Sequence, residues 1–317
     1  MISVLMPVYN CELYISEAIN SILSQTYSNF ELIIINDGST DNSEKIIKSF
    51  SDSRIKYFRT EHCGIPSALN FGLSKAKGKL IARMDGDDIA VTDKLQKQYN
   101  FLKKNNNIHL VGSNFNYIDK FGLKLFYKKY PERHEDIEFS MPVIISVLHS
   151  TILTYKDILL KVGKYNVSYS NTEDLDIFLR IIKSGYKMYN IQEPLYRYRI
   201  WINNSKKFDN QIENSYKFGK NYLDNFYSEK NDKEFRFDKN WRFGLLEYYK
   251  GSISKSRKYF LECILISPLR LFKVVRYFFP SLLGDRIMSL LREKGLLSNI
   301  NKFFNKILKI DTYKIRL

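Results

Sequence analysis

The sequence has few cysteines, no long apolar run and no basic leader segment. Its three cysteines, Cys11, Cys63 and Cys263, are far apart and form no C-x-x-C pair, so neither a disulfide framework nor a thiolate zinc site is expected. No stretch of 18 or more apolar residues occurs, which argues against a membrane-spanning helix. Met1 leads directly into an apolar run, so we expect no signal peptide and a reducing, cytoplasmic location.

Several common catalytic motifs are also missing. The chain contains neither the G-x-x-x-x-G-K-[ST] phosphate loop nor the G-x-G-x-x-G fingerprint, which excludes P-loop NTPases and ordinary dehydrogenases. No G-x-S-x-G elbow is present, so a serine hydrolase of that type is not expected. None of the four histidines pairs with another at metal-ligand spacing. With 44% hydrophobic and 26% charged residues, the composition is that of an ordinary globular protein.

The positive charge is concentrated near the end of the chain. The net charge is +16, and residues 248–317 hold 15 Lys and Arg against 4 Asp and Glu. Within residues 255–279 the basic side chains are mixed with Tyr, Phe and Leu, as in helices that lie on anionic membrane surfaces. A helical cap or an oligomer contact is the alternative interpretation. Nucleic acid is not the expected partner, because no nucleic-acid-binding motif is visible.

Alternating periodicities predict an α/β fold. Apolar runs at 2–6, 30–35, 54–58 and 79–84 predict strands, the first ended by Pro7, and segments of helical spacing separate them. This order predicts a mostly parallel sheet with helices on both faces. The later predictions are a hairpin at 110–118 and 123–128, a strand at 147–155, a helix at 174–183, strands at 187–191 and 195–200, and helices beyond 205. We therefore expect a catalytic domain at 1–205 and a helical, basic region at 206–317.

An acidic cluster, Asp85-Gly86-Asp87-Asp88, directly follows the fourth predicted strand. Ligands of such sheets bind at the carboxyl ends of the strands. Three carboxylates within four residues repel one another unless a cation neutralises them, and oxygen ligands suit Mg²⁺ or Mn²⁺. The alternative is a solvated acidic turn in which Asp88 or Asp93 caps a helix.

Two further acidic positions have both a functional and a structural interpretation. Asp37 ends the second strand, where it could bind a base edge or a ribose hydroxyl, while Asp41 and Ser43 could simply cap the next helix. Asp174 falls in the first turn of the helix at 174–183, where the helix dipole favours an anion. It could act as a general base or only complement the dipole.

Taken together in chain order, six segments resemble family 2 glycosyltransferases of the GT-A fold. The resemblance covers about residues 1–205, and its segments are 4–10, 24–27, 36–41, 64–70, 82–88 with the D-x-D element, and 173–180. It implies an inverting transfer of a sugar from a nucleotide sugar, expected to be a UDP-sugar, to a hydroxyl of a glycan or lipid-linked acceptor. The setting implied is bacterial surface-polysaccharide synthesis, peripheral on the inner face of the cell membrane.

The resemblance also implies residue roles. Pro7, Tyr9, Asp37 and Asp85 would contact the nucleotide, Asp87 would bind Mn²⁺ or Mg²⁺ at the diphosphate, and Asp174 would deprotonate the acceptor. Further contacts to the donor, diphosphate or acceptor are expected from six residues: Asp88, Glu173, His149, Arg180, Arg199 and Trp201.

Two of these residues carry alternatives. Trp201 stands where many relatives have a histidine, and Arg197 or Arg199 could replace that histidine by contacting phosphate. His149 could equally be a buried histidine satisfied by the backbone. Because of Trp201, a non-catalytic nucleotide-sugar or glycan-binding protein on the same fold is the alternative function.

Overall fold

Four apolar runs form neighbouring parallel strands in the computed structural model, which describes residues 1–169, 171–200, 205–227, 233–250 and 252–266. Their bounds are β1 Ile2–Val8, β2 Phe30–Asp37, β3 Ile55–Thr60 and β4 Leu80–Arg83. β1 pairs with β2 on one side and β4 on the other, and β2 pairs with β3. Every residue of β1 and β2 is buried, which is why these strands read as continuous apolar runs.

The rest of the sheet is mixed. The later strands are β5 Ile89–Ala90, β6 Leu110–Ile118, β7 Lys124–Lys128, β8 Leu153–Tyr155 and β9 Met188–Arg199. The strand order is β3-β2-β1-β4-β8-β6-β9-β5, with β7 on β6. β6 and β9 are parallel, whereas β8 is antiparallel to β4 and β6, β7 to β6, and β5 to β9. The expected α/β class is confirmed, but the sheet is parallel mainly in its first four strands.

Helices connect these strands. Their bounds are α1 Ile15–Leu23, α2 Ser43–Lys48, α3 Ile65–Lys75, α4 Lys94–Lys104, α5 His134–Ser140, α6 Lys156–Lys161, α7 Glu173–Lys183, α8 Ser205–Tyr227, α9 Lys233–Lys250 and α10 Ile253–Ile266. α1 shows why they form: Ile15, Ala18, Ile19 and Ile22 recur at helical spacing and are all buried in the main core. Among the described residues, no helix combines the length and the apolar character needed to cross a bilayer.

Three local predictions were wrong. The segment 147–155 is not one strand, because residues His149–Thr151 form a 3₁₀ turn before β8. The Thr151 hydroxyl donates to the Leu148 carbonyl at 2.7 Å, a local bond that competes with strand pairing. The two strands predicted at 187–191 and 195–200 are the single strand β9, whose register shifts near Pro194. Pro7 does not end β1, since it lies beyond the stretch paired with β4 and needs no ladder donor there.

The chain divides into two compact units. Residues 1–141 with 145–205 form the first unit, and residues 142–144 with helices α8–α10 belong to the second. The second unit has its own small core of Leu223, Phe243 and Leu246. Gly244 lies against the Phe260 ring, where an added Cβ would come within 2.5 Å, so α9 and α10 need a glycine at this crossing.

Candidate active site

The carboxyl ends of β1, β2 and β4 bring three predicted nucleotide residues to one edge of the sheet. Tyr9 follows β1, Asp37 is the last residue of β2, and Asp85 follows β4 after Met84. Parallel neighbours end at the same edge, which is where open α/β sheets bind ligands. Pro7 lies just before this edge, buried within β1.

Asp37 organises the loop that follows β3. Its buried carboxylate accepts hydrogen bonds from the backbone N–H groups of Cys63, at 3.0 Å, and Gly64, at 2.9 Å. The His62 Nδ1 lies 2.9 Å from the same carboxylate, and the His62 ring stacks on Tyr9 with centroids 4.0 Å apart. Tyr9 remains 45% exposed, so its ring offers a stacking surface beside Asp37.

The loops after β1 and β2 are tied to each other. Asn10 donates its backbone N–H to the Ser39 hydroxyl at 3.1 Å and accepts from the Thr40 N–H at 2.9 Å. Asp41 accepts from the backbone N–H groups of Glu12, at 3.0 Å, and Ser43, at 2.9 Å. Asp41 therefore joins the two loops and binds the N–H of the first residue of α2. The predicted capping role of Ser43 was wrong, because its hydroxyl accepts the Cys11 backbone N–H at 2.8 Å.

The acidic cluster forms a loop between β4 and β5. Asp85 makes an ion pair with the guanidinium of Arg83, whose side chain is buried at the end of β4. Gly86 lies close to Val8, where an added Cβ would be 3.1 Å from the Val8 side chain. Asp88 is buried, and its Oδ1 accepts the Arg199 backbone N–H at 2.7 Å. Burial and the charges of Asp87 and Asp85 raise the pKa of Asp88.

The Arg199 side chain joins this loop to two other segments, the turn at 119–120 and α1. Its Nε donates to the Asp87 carbonyl at 2.8 Å, its Nη1 to the carbonyls of Asp119 and Lys120, and its Nη2 to Glu17 at 2.6 Å. The Arg199 side chain is buried, and its positive charge is paired with Glu17 inside the protein. Contact between Arg199 and a diphosphate stays a prediction, and exposed Arg197 is the more accessible of the two arginines.

Asp174 and Glu173 open α7. The Asp174 Oδ1 accepts the Leu175 N–H at 2.7 Å, which fixes the carboxylate at the helix start. Burial raises the pKa of Asp174, so the carboxylate binds a proton more strongly than an exposed aspartate does. Burial and the neighbouring Asp174 charge raise the pKa of Glu173 to about 7. The Glu173 Oε2 is buried without a hydrogen-bond partner.

Arg83 lies between the two groups of carboxylates. Besides its ion pair with Asp85, it acts electrostatically on Glu173 and Asp174, favouring their ionised forms. The charge of Asp85 also contributes to the raised pKa of Asp174. Buried Arg83 thus pairs with the loop after β4 and also acts electrostatically on the start of α7. The position of Arg83, a charged residue ending a buried strand, was the available signal, but sequence reasoning gave it no role.

A second buried cation supports the same loop. Lys94 at the start of α4 is fully buried, and its Nζ lies 3.4 Å from the Arg83 carbonyl and 5.6 Å from the Tyr196 ring centroid. Burial and the Arg83 charge lower the pKa of Lys94 to about 7. The Tyr196 hydroxyl in turn accepts the Asp85 backbone N–H at 3.2 Å. Sequence reasoning also missed this support, because Lys94 has the sequence context of an exposed helix start.

His149 and Arg180 make internal contacts. The His149 Nε2 lies 2.9 Å from the Tyr165 hydroxyl, so a side chain and not the backbone satisfies this buried histidine. Burial and the Arg83 charge lower its pKa, which keeps the ring neutral at physiological pH. Arg180 donates to Asp176 at 3.0 Å and to the Lys164 carbonyl at 2.7 Å. Arg180 thus holds the loop after α6 against α7. Trp201 lies outside the described residues.

The acidic loop fits a hard cation in a limited way. In the described ranges, no three His, Cys, Asp or Glu side chains are grouped as a ready cage. Mg²⁺ commonly uses only one or two protein carboxylates and completes its coordination with water and substrate phosphates. The Asp88 Oδ2 is buried without a hydrogen-bond partner, directly beside Asp87. An unsatisfied buried carboxylate oxygen next to a second carboxylate is compatible with a cation that a diphosphate brings with it.

The fold and the acidic strand ends define this protein as a GT-A glycosyltransferase. The chain belongs to glycosyl transferase family 2, whose family model matches residues 3–161. It is 36% identical over 212 residues to the O-antigen biosynthesis glycosyltransferase WbnJ of Escherichia coli, covering 65% of this chain and 82% of the relative.

Two solved structures share the fold at low sequence identity. S. aureus TarS 1-349, solved in complex with UDP-GlcNAc, has a TM-score of 0.60 at 16% identity, over 97% of this chain and 91% of that chain. A mannosyltransferase from Pyrobaculum calidifontis, solved with GDP-Man and Mn²⁺, has a TM-score of 0.57 at 15% identity, over 98% of this chain and 84% of the other.

Proposed function

We propose that this glycosyltransferase moves a sugar from a UDP-sugar to a hydroxyl of a glycan or lipid-linked acceptor in surface-polysaccharide synthesis. The observation that carries the proposal is the ion pair of Asp85 with buried Arg83, whose charge also acts on Asp174. The names of the E. coli relative and of the nucleotide-sugar complexes support the substrate classes. We further propose that residues 1–205 are the catalytic domain.

The donor would lie along the carboxyl ends of β1, β2 and β4. Tyr9 offers its exposed ring to the base, with Pro7 and Asp37 shaping that end of the site. Asp85, oriented by its ion pair with Arg83, is assigned to the ribose. Asp87 is assigned to Mn²⁺ or Mg²⁺, with Asp88 beside it. When bound, such an ion acts as a Lewis acid that stabilises negative charge on the diphosphate.

The acceptor hydroxyl would be activated by Asp174. The oxygen of the acceptor hydroxyl forms the new bond to the anomeric carbon on the face opposite the diphosphate, and the bond from that carbon to the diphosphate oxygen breaks. The hydroxyl proton passes to the Asp174 carboxylate, and the leaving diphosphate takes the bonding electrons, so the configuration inverts. The raised pKa of Asp174 makes it a better proton acceptor than an exposed aspartate. Glu173 and His149 are assigned to the acceptor side.

We also propose that the region 206–317 meets the inner face of the cell membrane. In α10, Lys258, Leu261 and Leu265 recur at helical spacing, and all three are exposed, Leu265 by 80%. This combination suits an interfacial helix. The remaining basic and aromatic residues of the predicted segment, from 267 to 279, lie outside the described residues.

A binding screen tests the donor and metal assignments. Thermal shift of the full chain with UDP-, GDP- and other nucleotide sugars, with and without Mn²⁺, should show a rise for a UDP-sugar that needs the ion. Asp87→Asn should abolish the part of the rise in melting temperature that depends on Mn²⁺. Asp157→Asn, a matched change at an exposed position on α6, should behave as wild type. An Asp87→Asn variant that responds to Mn²⁺ as wild type does would contradict the metal assignment.

A further inference from the structure

The turn between β6 and β7 is a well-formed hairpin. The Asp119 Oδ1 accepts the backbone N–H groups of Phe121 and Leu123, each at 2.9 Å. The Gly122 N–H donates to the Asp119 carbonyl at 3.0 Å, and Gly122 has a φ of +83°, which favours glycine. We call residues 120–128 the hairpin tip. These hydrogen bonds fix the backbone of the turn.

The hairpin tip exposes apolar side chains at the turn and along β7. Phe121 is 76% exposed, Leu123 65% and Phe126 52%, and Leu125 and Tyr127 are also exposed. The register of β7 against β6 shifts between Tyr117 and Ile118, so Leu125 is an extra residue in β7, while the Phe126 ring packs on Tyr117 with centroids 4.4 Å apart. A solvated strand is expected to carry polar residues on its outer face. A cluster of exposed apolar side chains at the end of a hairpin indicates a surface that contacts something else.

The charge around these side chains is of one sign. Residues 120–130 contain Lys120, Lys124, Lys128 and Lys129 and no Asp or Glu. In the described part of the chain, β7 pairs with β6 alone, which leaves its other edge open. Lysines on an open edge discourage pairing with a second strand, and a second copy would bring the same positive charge. An anionic lipid surface complements both the lysines and the apolar groups.

The hairpin tip is joined to the proposed donor site through Arg199. The Arg199 Nη1 donates to the carbonyls of Asp119, at 3.0 Å, and Lys120, at 3.2 Å, while its Nε donates to the Asp87 carbonyl. One buried side chain therefore links the base of the hairpin to the acidic loop. A lipid contact at the tip would keep this loop close to the membrane surface.

We propose that the hairpin tip inserts Phe121, Leu123 and its neighbouring apolar side chains among the headgroups of an anionic bilayer, with its lysines at the lipid phosphates. This contact would give the enzyme access to a membrane-linked acceptor, and that advantage alone rests on the proposed function. The contact is distinct from the one assigned to region 206–317, because it belongs to the sheet of the first unit.

Vesicle binding by the full chain, without donor or metal, tests the proposal. Flotation with phosphatidylserine–phosphatidylcholine vesicles compares wild type with Phe121→Ser/Leu123→Ser, and with Leu160→Ser/Val167→Ser as the control for exposed apolar groups elsewhere. We expect the tip variant to lose on the order of tenfold in partitioning, since two apolar groups leave the interface. The control should bind as wild type, and melting temperatures should stay within 2 °C or so, as expected for exposed positions.

A second variant tests the lysines. Lys124→Gln/Lys128→Gln should lose roughly 25-fold in binding at low salt, since each lysine near such a surface contributes about fivefold. Lys77→Gln/Lys79→Gln, a pair exposed elsewhere, should lose much less.

Three results would overturn the proposal. The first is equal vesicle binding by wild type and the Phe121→Ser/Leu123→Ser variant, which would assign binding to another region. The second is loss with the lysine variant alone, which would indicate attraction to any polyanion without insertion. The third is a dimer that the tip variant disrupts, without vesicle binding, which would make the tip an interface between copies. The vesicle assay contains no donor, so it does not depend on catalysis. A protein without transferase activity would still bind vesicles if the proposal holds, and the two ideas therefore fail in different experiments.

Discussion

Replacing Arg83 with methionine should destabilise the first unit strongly. The guanidinium is 5% exposed and pairs with Asp85, and it also favours the ionised forms of Glu173 and Asp174. Removing one partner of a buried ion pair costs about 3–5 kcal/mol, because the other charge stays buried without compensation. The Asp85 side chain is 22% exposed, which lets water recover part of that cost, so we expect a loss of about 2–4 kcal/mol.

Denaturant unfolding of the full chain measures this loss of unfolding free energy, and the melting temperature of Arg83→Met should fall by roughly 5–15 °C. Arg83→Lys keeps the charge and should lose less than Arg83→Met. In Arg83→Met/Asp85→Asn the uncompensated carboxylate is gone, so this double variant should recover at least about 1 kcal/mol relative to Arg83→Met. The reasoning is refuted if Arg83→Met loses under about 1 kcal/mol, or if the Asp85→Asn change brings no recovery.

Three other changes have defined outcomes. The folded-state pKa of Glu173 is about 7, above its ordinary 4.5, so the stability that protonated Glu173 contributes is complete below pH 4.5 and is lost as pH rises through 7. The free energy of unfolding of Glu173→Gln, measured in urea, should therefore exceed that of wild type by up to roughly 3 kcal/mol at pH 8 and by almost nothing at pH 4.5. The pKa of buried Lys94 is lowered from 10.5 to about 7, so Lys94→Met should be about 2–4 kcal/mol more stable than wild type at pH 7. This gain should fade as pH rises from 7 to 10.5, and an equal gain at pH 7 and pH 10.5 would contradict the reasoning. Asn70 donates to the Tyr165 carbonyl at 2.8 Å and accepts its N–H at 3.0 Å, so Asn70→Ala should lose about 2–3 kcal/mol, and a melting temperature unchanged from wild type would contradict this pairing.

The predictions that succeeded concern features that short segments determine. The apolar run of β2 ends at Asn36 and Asp37, and that of β4 is followed by Asp85, so the strand character and the placement of both aspartates at one sheet edge followed from local pattern. The helix α7 followed from its apolar face and its acidic first turn. These elements need no knowledge of distant partners, because periodicity and turn residues are local properties.

The features that the sequence did not reveal depend on distant partners or on local competition. The donors of Arg199 are directed to Glu17, Asp87 and the hairpin turn, which are 79 to 182 positions away in sequence. The turn at His149–Thr151 replaced a predicted strand, because hydroxyl-to-carbonyl bonds compete with the ladder. The sequence also did not predict that β9 pairs antiparallel to β5 and parallel to β6, since the direction of strand pairing is set by tertiary packing.

The rate of nucleoside diphosphate release by Asp174→Asn tests the central claim most directly. With saturating donor and acceptor, turnover should fall by roughly 10²–10⁴ relative to wild type, because the acceptor hydroxyl loses its base. Donor affinity should change less than about threefold, since Asp174 is assigned to the acceptor. Turnover equal to that of wild type would show that the carboxylate beside Arg83 does not accept the proton.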